Sequence, residues 1–125
     1  MRITIDIAAN RRLLCAALQG LVLVDAVMLA EREYPSLYDA GVRYERERGR
    51  EEWQTVEQVL AAGVGDCEDL ACWRAAELRR DGVECLAEAV RTGPRLFHAI
   101  VRFPDGSHED PARELGMGRR RRSRR

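Results

Sequence analysis

Apolar and polar positions follow a helical period over residues 10–33. Leucine and valine side chains recur every three or four positions there and share one stripe with Asp25. Asn10 is suited to the N-cap, and Tyr34-Pro35 ends the pattern. The pattern predicts a long amphipathic helix in which Asp25 needs a buried partner or lies at the edge of the stripe.

This apolar run superficially resembles a membrane or signal segment, because it extends from Leu13 to Ala30. Gln19 and Asp25 interrupt it, no small-residue cleavage site is clear, and its length barely suffices to span a bilayer. We therefore expect a buried helix, no membrane contact and a cytoplasmic location.

Two further helices are predicted between the first helix and the strands that begin at residue 83. The first covers residues 51–62 with Trp53, Val56 and Val59 facing inward. The second runs from Cys67 to about Arg80, with Asp66 as N-cap and Asp69 completing a capping box. Residues 34–50 form a polar connection between the first two helices, and Ile3, Ile5 and Ile7 indicate a short strand or an extended arm.

From residue 83 the period of the pattern changes to two. Strands are expected at residues 83–91, 96–103 and 107–110, separated by turns at 92–94 and 104–106. A short terminal segment follows from Pro111 to Met117. Helices come first and an antiparallel sheet follows, so the predicted fold class is α+β with a small antiparallel sheet.

The charge of the chain is divided unevenly. All 21 basic residues are arginine, and six of them lie in residues 118–125, so residues 1–117 carry a net charge of −6. The basic tail is expected to be disordered alone, because it has little apolar surface and its charges repel. Nucleic acid, an acidic protein surface or the acidic body are its possible partners.

The four cysteines form no compact disulfide pattern, which favours reduced thiols in a cytoplasm. Zinc binding is not expected, because no close ligand pair such as C-x-x-C is present. No cofactor is indicated either. Cys15, Cys72 and Cys85 are interpreted as small buried apolar residues.

Cys67 differs from the other three, because it begins a predicted helix and is followed by His98 and Asp110 on two strands of a hairpin. A helix N-terminus and an imidazolium lower the pKa of a thiol, and a carboxylate orients the imidazole. The register of the hairpin decides whether the side chains of His98 and Asp110 are close enough to contact each other. A three-residue loop at Pro104-Asp105-Gly106 pairs Ile100 with Asp110 and puts Asp110 on the His98 face.

The stretch Gly65-Asp66-Cys67-Glu68-Asp69-Leu70-Ala71, together with His98-Ala99-Ile100-Val101 and Asp110-Pro111, resembles the core of the transglutaminase-like superfamily. The bacterial transglutaminase-like cysteine proteinases are the closest in character, and short members occur in bacteriophages. If the chain is phage-encoded, the resemblance implies a location in the host cytoplasm or in the virion. The resemblance covers residues 51–117, as part of a single domain 1–117 in which residues 1–50 are a helical extension. It implies a papain-like triad with Cys67 as nucleophile, His98 as base and then acid, and Asp110 as orienter.

Two functions follow as expectations. The first is thiol-dependent acyl transfer, as hydrolysis of a peptide or isopeptide amide in a protein substrate. The second is a non-catalytic assembly protein, of a bacteriophage particle for example, that docks through its N-terminal helix and arginine tail. Beyond the backbone N–H of Cys67, the sequence offers only Trp53, Gln54 and Gln58 as oxyanion donors, on weak grounds.

Overall fold

Residues 11–46, 52–94 and 96–118 are described by a computed structural model, and they form the expected α+β fold. The helices are α1 (Arg11–Glu31), α2 (Val56–Ala62), α3 (Cys67–Arg80) and α4 (Pro111–Glu114), with a 3-10 turn at Leu37–Asp39. The strands are β1 (Arg43–Tyr44), β2 (Val64–Gly65), β3 (Leu86–Gly93), β4 (Leu96–Arg102) and β5 (His108–Glu109). Strands β3, β4 and β5 form an antiparallel sheet in that order, and β1 pairs with β2 in parallel.

The hairpin from β4 to β5 has the register that its turn residues predicted. Val101 pairs with Glu109, and the Phe103 N–H donates to the Ser107 carbonyl at 3.0 Å. Gly106 takes a φ of 90°, a conformation that glycine adopts without steric cost. The three-residue loop therefore continues the pairing toward Asp110 on the His98 face.

The core lies between the sheet and the two long helices, since α1 and α3 pack on each other and both contact the sheet. Small side chains line the contact, which lets helix and sheet backbones approach closely. The small, fully buried residues at this contact include Ala71 and Ala75 of α3 and Ala87 of β3. Leu18 and Leu21 of α1 are larger core residues and are also fully buried.

Asp25 has the buried partner that its position required. Its side chain is fully buried, and Oδ1 accepts the N–H of Val56, the first residue of α2, at 3.0 Å. The carboxylate thus satisfies an N–H that the start of a helix leaves without a partner. Among the described residues Oδ2 has no partner, and burial raises the pKa of Asp25 to about 7.

The structure corrects the bounds of one predicted helix and adds one pair of short strands. Helix α2 begins at Val56 rather than at residue 51, because Thr55 and Gln58 form a capping box that starts the helix there. The parallel pair β1–β2 was not predicted, since two-residue strands show no periodic pattern. The expected strand at residues 3–7 and the arginine tail from residue 119 lie outside the described residues.

Candidate functional site

Helix α3 begins at Cys67 because Asp66 caps it. The Asp66 carboxylate accepts the Asp69 N–H at 3.0 Å, and the Asp69 carboxylate accepts the Asp66 N–H at 3.1 Å. The predicted capping box is therefore present. Asp69 also accepts the backbone N–H of Gln54 at 2.7 Å, which ties the segment before α2 to the start of α3. These bonds give Asp69 a structural role and fix the backbone that carries the thiol.

His98 and Asp110 form the expected pair across the hairpin. His98 Nε2 lies 2.8 Å from Asp110 Oδ2, and the two side chains are only 11% and 15% exposed. Because a carboxylate can only accept, Nε2 carries the proton, and in a neutral imidazole Nδ1 then holds the lone pair. Asp110 is itself held as the N-cap of α4, where Oδ1 accepts the Arg113 N–H at 3.3 Å.

A partly buried ionic network fastens this hairpin to α3. Arg74, seven residues along the helix from Cys67, donates to Glu77 at 2.6 Å and to Glu109 at 2.5 Å. The Tyr38 hydroxyl also bonds to Glu109, and the Arg74 guanidinium stacks 4.8 Å from the Tyr38 ring centroid. Since Glu109 ends β5 and directly precedes Asp110, the helix that carries the thiol also anchors the strand that leads to the acid.

Sequence reasoning missed this network. One signal was present, because Arg74 and Glu77 are charged residues three positions apart on a helix whose neighbouring positions are apolar. The partner Glu109 is distant in the sequence, so its part depends on tertiary packing.

The thiol of Cys67 lies against β4. Burial and the carboxylate of Glu68 raise the pKa of Cys67 well above the ordinary value, and the backbone N–H of Ala99, the residue after His98, lowers it by less. Sγ donates to Glu68 Oε2 at 3.3 Å. The expectation of a depressed thiol pKa is therefore wrong for this resting arrangement, because desolvation and two nearby acids outweigh the helix N-terminus.

The three predicted residues thus stand as follows. His98 and Asp110 are in contact, and Cys67 lies beside the strand residue next to His98. Within the described part of the chain, no hydrogen bond joins Cys67 Sγ to the His98 ring. Direct proton exchange between these two side chains stays a prediction.

The side chains that the sequence offered as oxyanion donors are buried in the core or already hydrogen-bonded to other groups. Trp53 is 2% exposed and belongs to the core. The Gln54 amide donates to Asp69 at 3.1 Å and to the Val64 carbonyl at 3.3 Å, and the Gln58 carbonyl accepts the Thr55 N–H at 2.9 Å. The backbone N–H groups at the start of α3 therefore remain the donors best placed for an oxyanion.

Tyr44 is a neighbour of the thiol that the sequence did not assign. Burial is the main cause of its raised pKa, and the next causes are electrostatic interactions with Cys67 and Asp66, so its ring lies near the start of α3. The parallel pairing of Tyr44 with Gly65 places it there. A cavity of about 360 Å³ opens next to it, lined by Glu45, Arg46, Glu52, Gln54, Val64, Gly65, Asp66 and Asp69.

No group of three or more histidine, cysteine, aspartate or glutamate side chains suited to a metal ion occurs in residues 11–46, 52–94 and 96–118. Comparison of the chain with models of known protein families, with curated proteins and with solved structures found no match.

Proposed function

We propose that the protein performs thiol-dependent acyl transfer, as hydrolysis of a peptide or isopeptide amide, with Cys67, His98 and Asp110 as its catalytic triad. The observation that carries this proposal is the buried His98–Asp110 hydrogen bond of 2.8 Å, on a hairpin packed against the helix that Cys67 begins. A carboxylate bound to one ring nitrogen orients the imidazole and stabilises its protonated form.

The raised pKa of Cys67 determines how the reaction begins. The resting thiol is protonated, so the proton passes to His98 Nδ1 as sulfur bonds to the substrate carbonyl carbon. When the carbon–nitrogen bond breaks, the imidazolium returns that proton to the leaving amine. Water then attacks the thioester, gives a proton to His98, and the carboxylic acid leaves as the Cys67 thiol is restored.

The resemblance to the transglutaminase-like superfamily supports this proposal through the order and spacing of the three residues. On this reading the chain is a small member with a papain-like core. The peptide or protein nature of the substrate follows from the resemblance alone.

The chemistry is testable without the natural substrate, because an activated ester acylates any competent thiol nucleophile. We expect the full chain to hydrolyse 4-nitrophenyl acetate with release of nitrophenolate. His98→Ala should lower the rate by about a hundredfold or more, as for loss of a general base. His108→Ala is the matched control, since His108 lies on the next strand and is exposed.

Two outcomes contradict the catalytic proposal: equal rates for the His98→Ala and His108→Ala variants, or a Cys67→Ala variant as active as the parent. Cys67→Ala also measures the background of the three remaining thiols.

A non-catalytic assembly role is the second candidate, and the protonated, carboxylate-bonded thiol of Cys67 favours it. On this alternative the fold is retained as a scaffold, with the N-terminal helix and the arginine tail as docking elements. It predicts no acylation of Cys67 by the ester.

A further inference from the structure

Helix α1 presents a second apolar stripe, opposite to the one that enters the core. Every exposed position between residues 12 and 31 is apolar or glycine. These residues are Leu13, Ala16, Gly20, Leu23, Val27 and Ala30. Their spacing alternates strictly between three and four, which is the seam of a coiled coil rather than the broader stripe of a core-facing helix.

The stripe is well exposed, since Leu13 is 58%, Leu23 59% and Val27 59% accessible. Scattered exposed leucines are normal on protein surfaces, but an uninterrupted seam of more than two heptads is typical of a helix-packing surface. The seam also continues sideways into a groove of about 510 Å³, which is lined in part by Ala16, Leu23 and Leu86.

We propose that this seam binds the same seam of a second copy of the chain, with the two α1 helices antiparallel. In one register large residues of one copy face small residues of the other in every layer. Leu13 faces Ala30, Ala16 faces Val27, and Gly20 faces Leu23 of the second copy. Such alternation lets two helices approach closely and fill the space between them.

The same register also brings opposite charges to both ends of the seam. Arg12 of one copy lies at the same end as Glu31 of the other, and both side chains are exposed in the single chain. The neighbouring arginines already have acidic partners within the chain, because Arg11 pairs with Glu88 and Arg32 with Glu57. A parallel pairing would instead place Arg12 against Arg12, so the charges select the antiparallel arrangement.

Gly20 is the residue that the isolated chain leaves unexplained. Glycine inside a helix lowers its stability relative to alanine. A Cβ added at Gly20 would meet nothing within 4 Å among the described residues, so no contact inside the chain requires the glycine. Leu23 of the second copy would occupy that space, which explains why a residue without a side chain stands at position 20.

A membrane is the other environment that α1 suits by length and composition. Its opposite face, however, packs on α3 and β3 and holds Asp25, which caps α2. Insertion would remove that face from the core. A second copy covers the exposed seam and leaves the core intact.

Sedimentation equilibrium of the full chain tests the proposal. We expect a mass of twice 14.2 kDa that falls to the single-chain mass on dilution. Gly20→Leu should raise the dissociation constant by about a hundredfold, because the central layer becomes overpacked in both copies. At concentrations below the dissociation constant of the parent dimer, the same variant should melt no lower than the parent, since leucine favours the helix. Leu23→Glu should also give a monomer, whereas Leu96→Glu, at a site 54% exposed, should not.

The orientation is tested by reversing the end charges. Arg12→Glu alone and Glu31→Arg alone should each weaken the dimer about tenfold at low salt, and the double variant should restore it. A parent chain that stays monomeric at all concentrations overturns the proposal, whether or not it binds phosphatidylcholine vesicles. A dimer that persists unweakened in Gly20→Leu and Leu23→Glu, or a double variant without rescue, also overturns it.

Discussion

Cys67 shows how the packing of one residue reverses an expectation from its position. A helix start alone favours the thiolate, and the sequence correctly placed Cys67 there. The fold then buries the sulfur and brings Glu68 to 3.3 Å. Burial and negative charge both raise the pKa of a thiol, and neither can be estimated from the spacing of the residues.

Replacing Glu68 with glutamine should therefore lower the pKa of Cys67. Removal of the nearby negative charge favours the thiolate, so the rate of iodoacetamide alkylation at pH 7 should rise about tenfold. Peptide mass spectrometry across a pH series gives the rate for each cysteine. Glu84→Gln, at an exposed position, is the control and should leave the Cys67 profile unchanged. An equal or slower rate in Glu68→Gln contradicts this account of the thiol.

Asp25 should make the folded state lose stability as pH rises. Its pKa is raised from 3.8 to about 7 by burial, so the folded chain holds a proton that the unfolded chain releases. The stabilisation is complete below about pH 4 and is lost by about pH 7, at about 1.4 kcal/mol per pH unit. In urea unfolding, the free-energy difference between the parent and Asp25→Asn should fall with pH across this window.

Asp39→Asn replaces an exposed carboxylate and serves as the control for that measurement. Its free-energy difference from the parent should change little between pH 4 and 7. If the free energies of unfolding of Asp25→Asn and of the parent change equally with pH, Asp25 does not titrate with a raised pKa.

Among the elements, α3 and the β4–β5 hairpin were predictable, because local chemistry defines them. Asp66 and Asp69 cap the helix, and Pro104-Asp105-Gly106 selects the hairpin register that joins His98 to Asp110. The start of α2 was misplaced because the inward position of Trp53 resembled a helical pattern, whereas Thr55 supplies the actual cap. The β1–β2 pair and the Arg74 network join distant segments, so local patterns do not reveal them.

The Arg74 network should be essential for joining the hairpin to α3. Arg74→Met leaves Glu77, which is 2% exposed, without its cation, and releases Glu109. Breaking a buried ion pair from one side is strongly destabilising, so we expect a loss of about 3 kcal/mol in the free energy of unfolding. Urea titration measures it. The Arg32 side chain is 73% exposed in its pair with Glu57, so Arg32→Met should lower the free energy of unfolding by less than about 1 kcal/mol.

If Arg74→Met and Arg32→Met prove equally mild, the network does not hold the hairpin. In that case the position of Asp110 would depend on the strand pairing and on its own capping of α4.

At the scale of the whole molecule, the body and the arginine tail should be separable. Among the described residues the buried core lies between Leu14 and Ala112. Residues 119–125 are six arginines and one serine, so their deletion removes no apolar side chain. The truncated chain should melt within about 2 °C of the parent, as expected for the loss of a charged segment without apolar side chains. Circular dichroism during heating measures this, and a truncated chain that fails to fold would contradict it.

The whole molecule thus combines the candidate site at the start of α3 with an exposed apolar seam on α1. The seam contains none of the three proposed catalytic residues, which lie at the start of α3, on β4 and at the N-cap of α4. Dimerisation through α1 would leave the proposed catalytic residues of each copy in place.

If Cys67 is a nucleophile served by His98, the acyl group of an activated ester must pass to the Cys67 sulfur. After a short exposure to 4-nitrophenyl acetate and an acid quench, peptide mass spectrometry locates the acetyl group on the four cysteines. We expect a hydroxylamine-labile acetyl thioester on Cys67 in the parent and its loss in His98→Ala, with His108→Ala unchanged. Acetyl groups on Cys15 with Cys67 unmodified, or equal acetylation of Cys67 in His98→Ala, would contradict it.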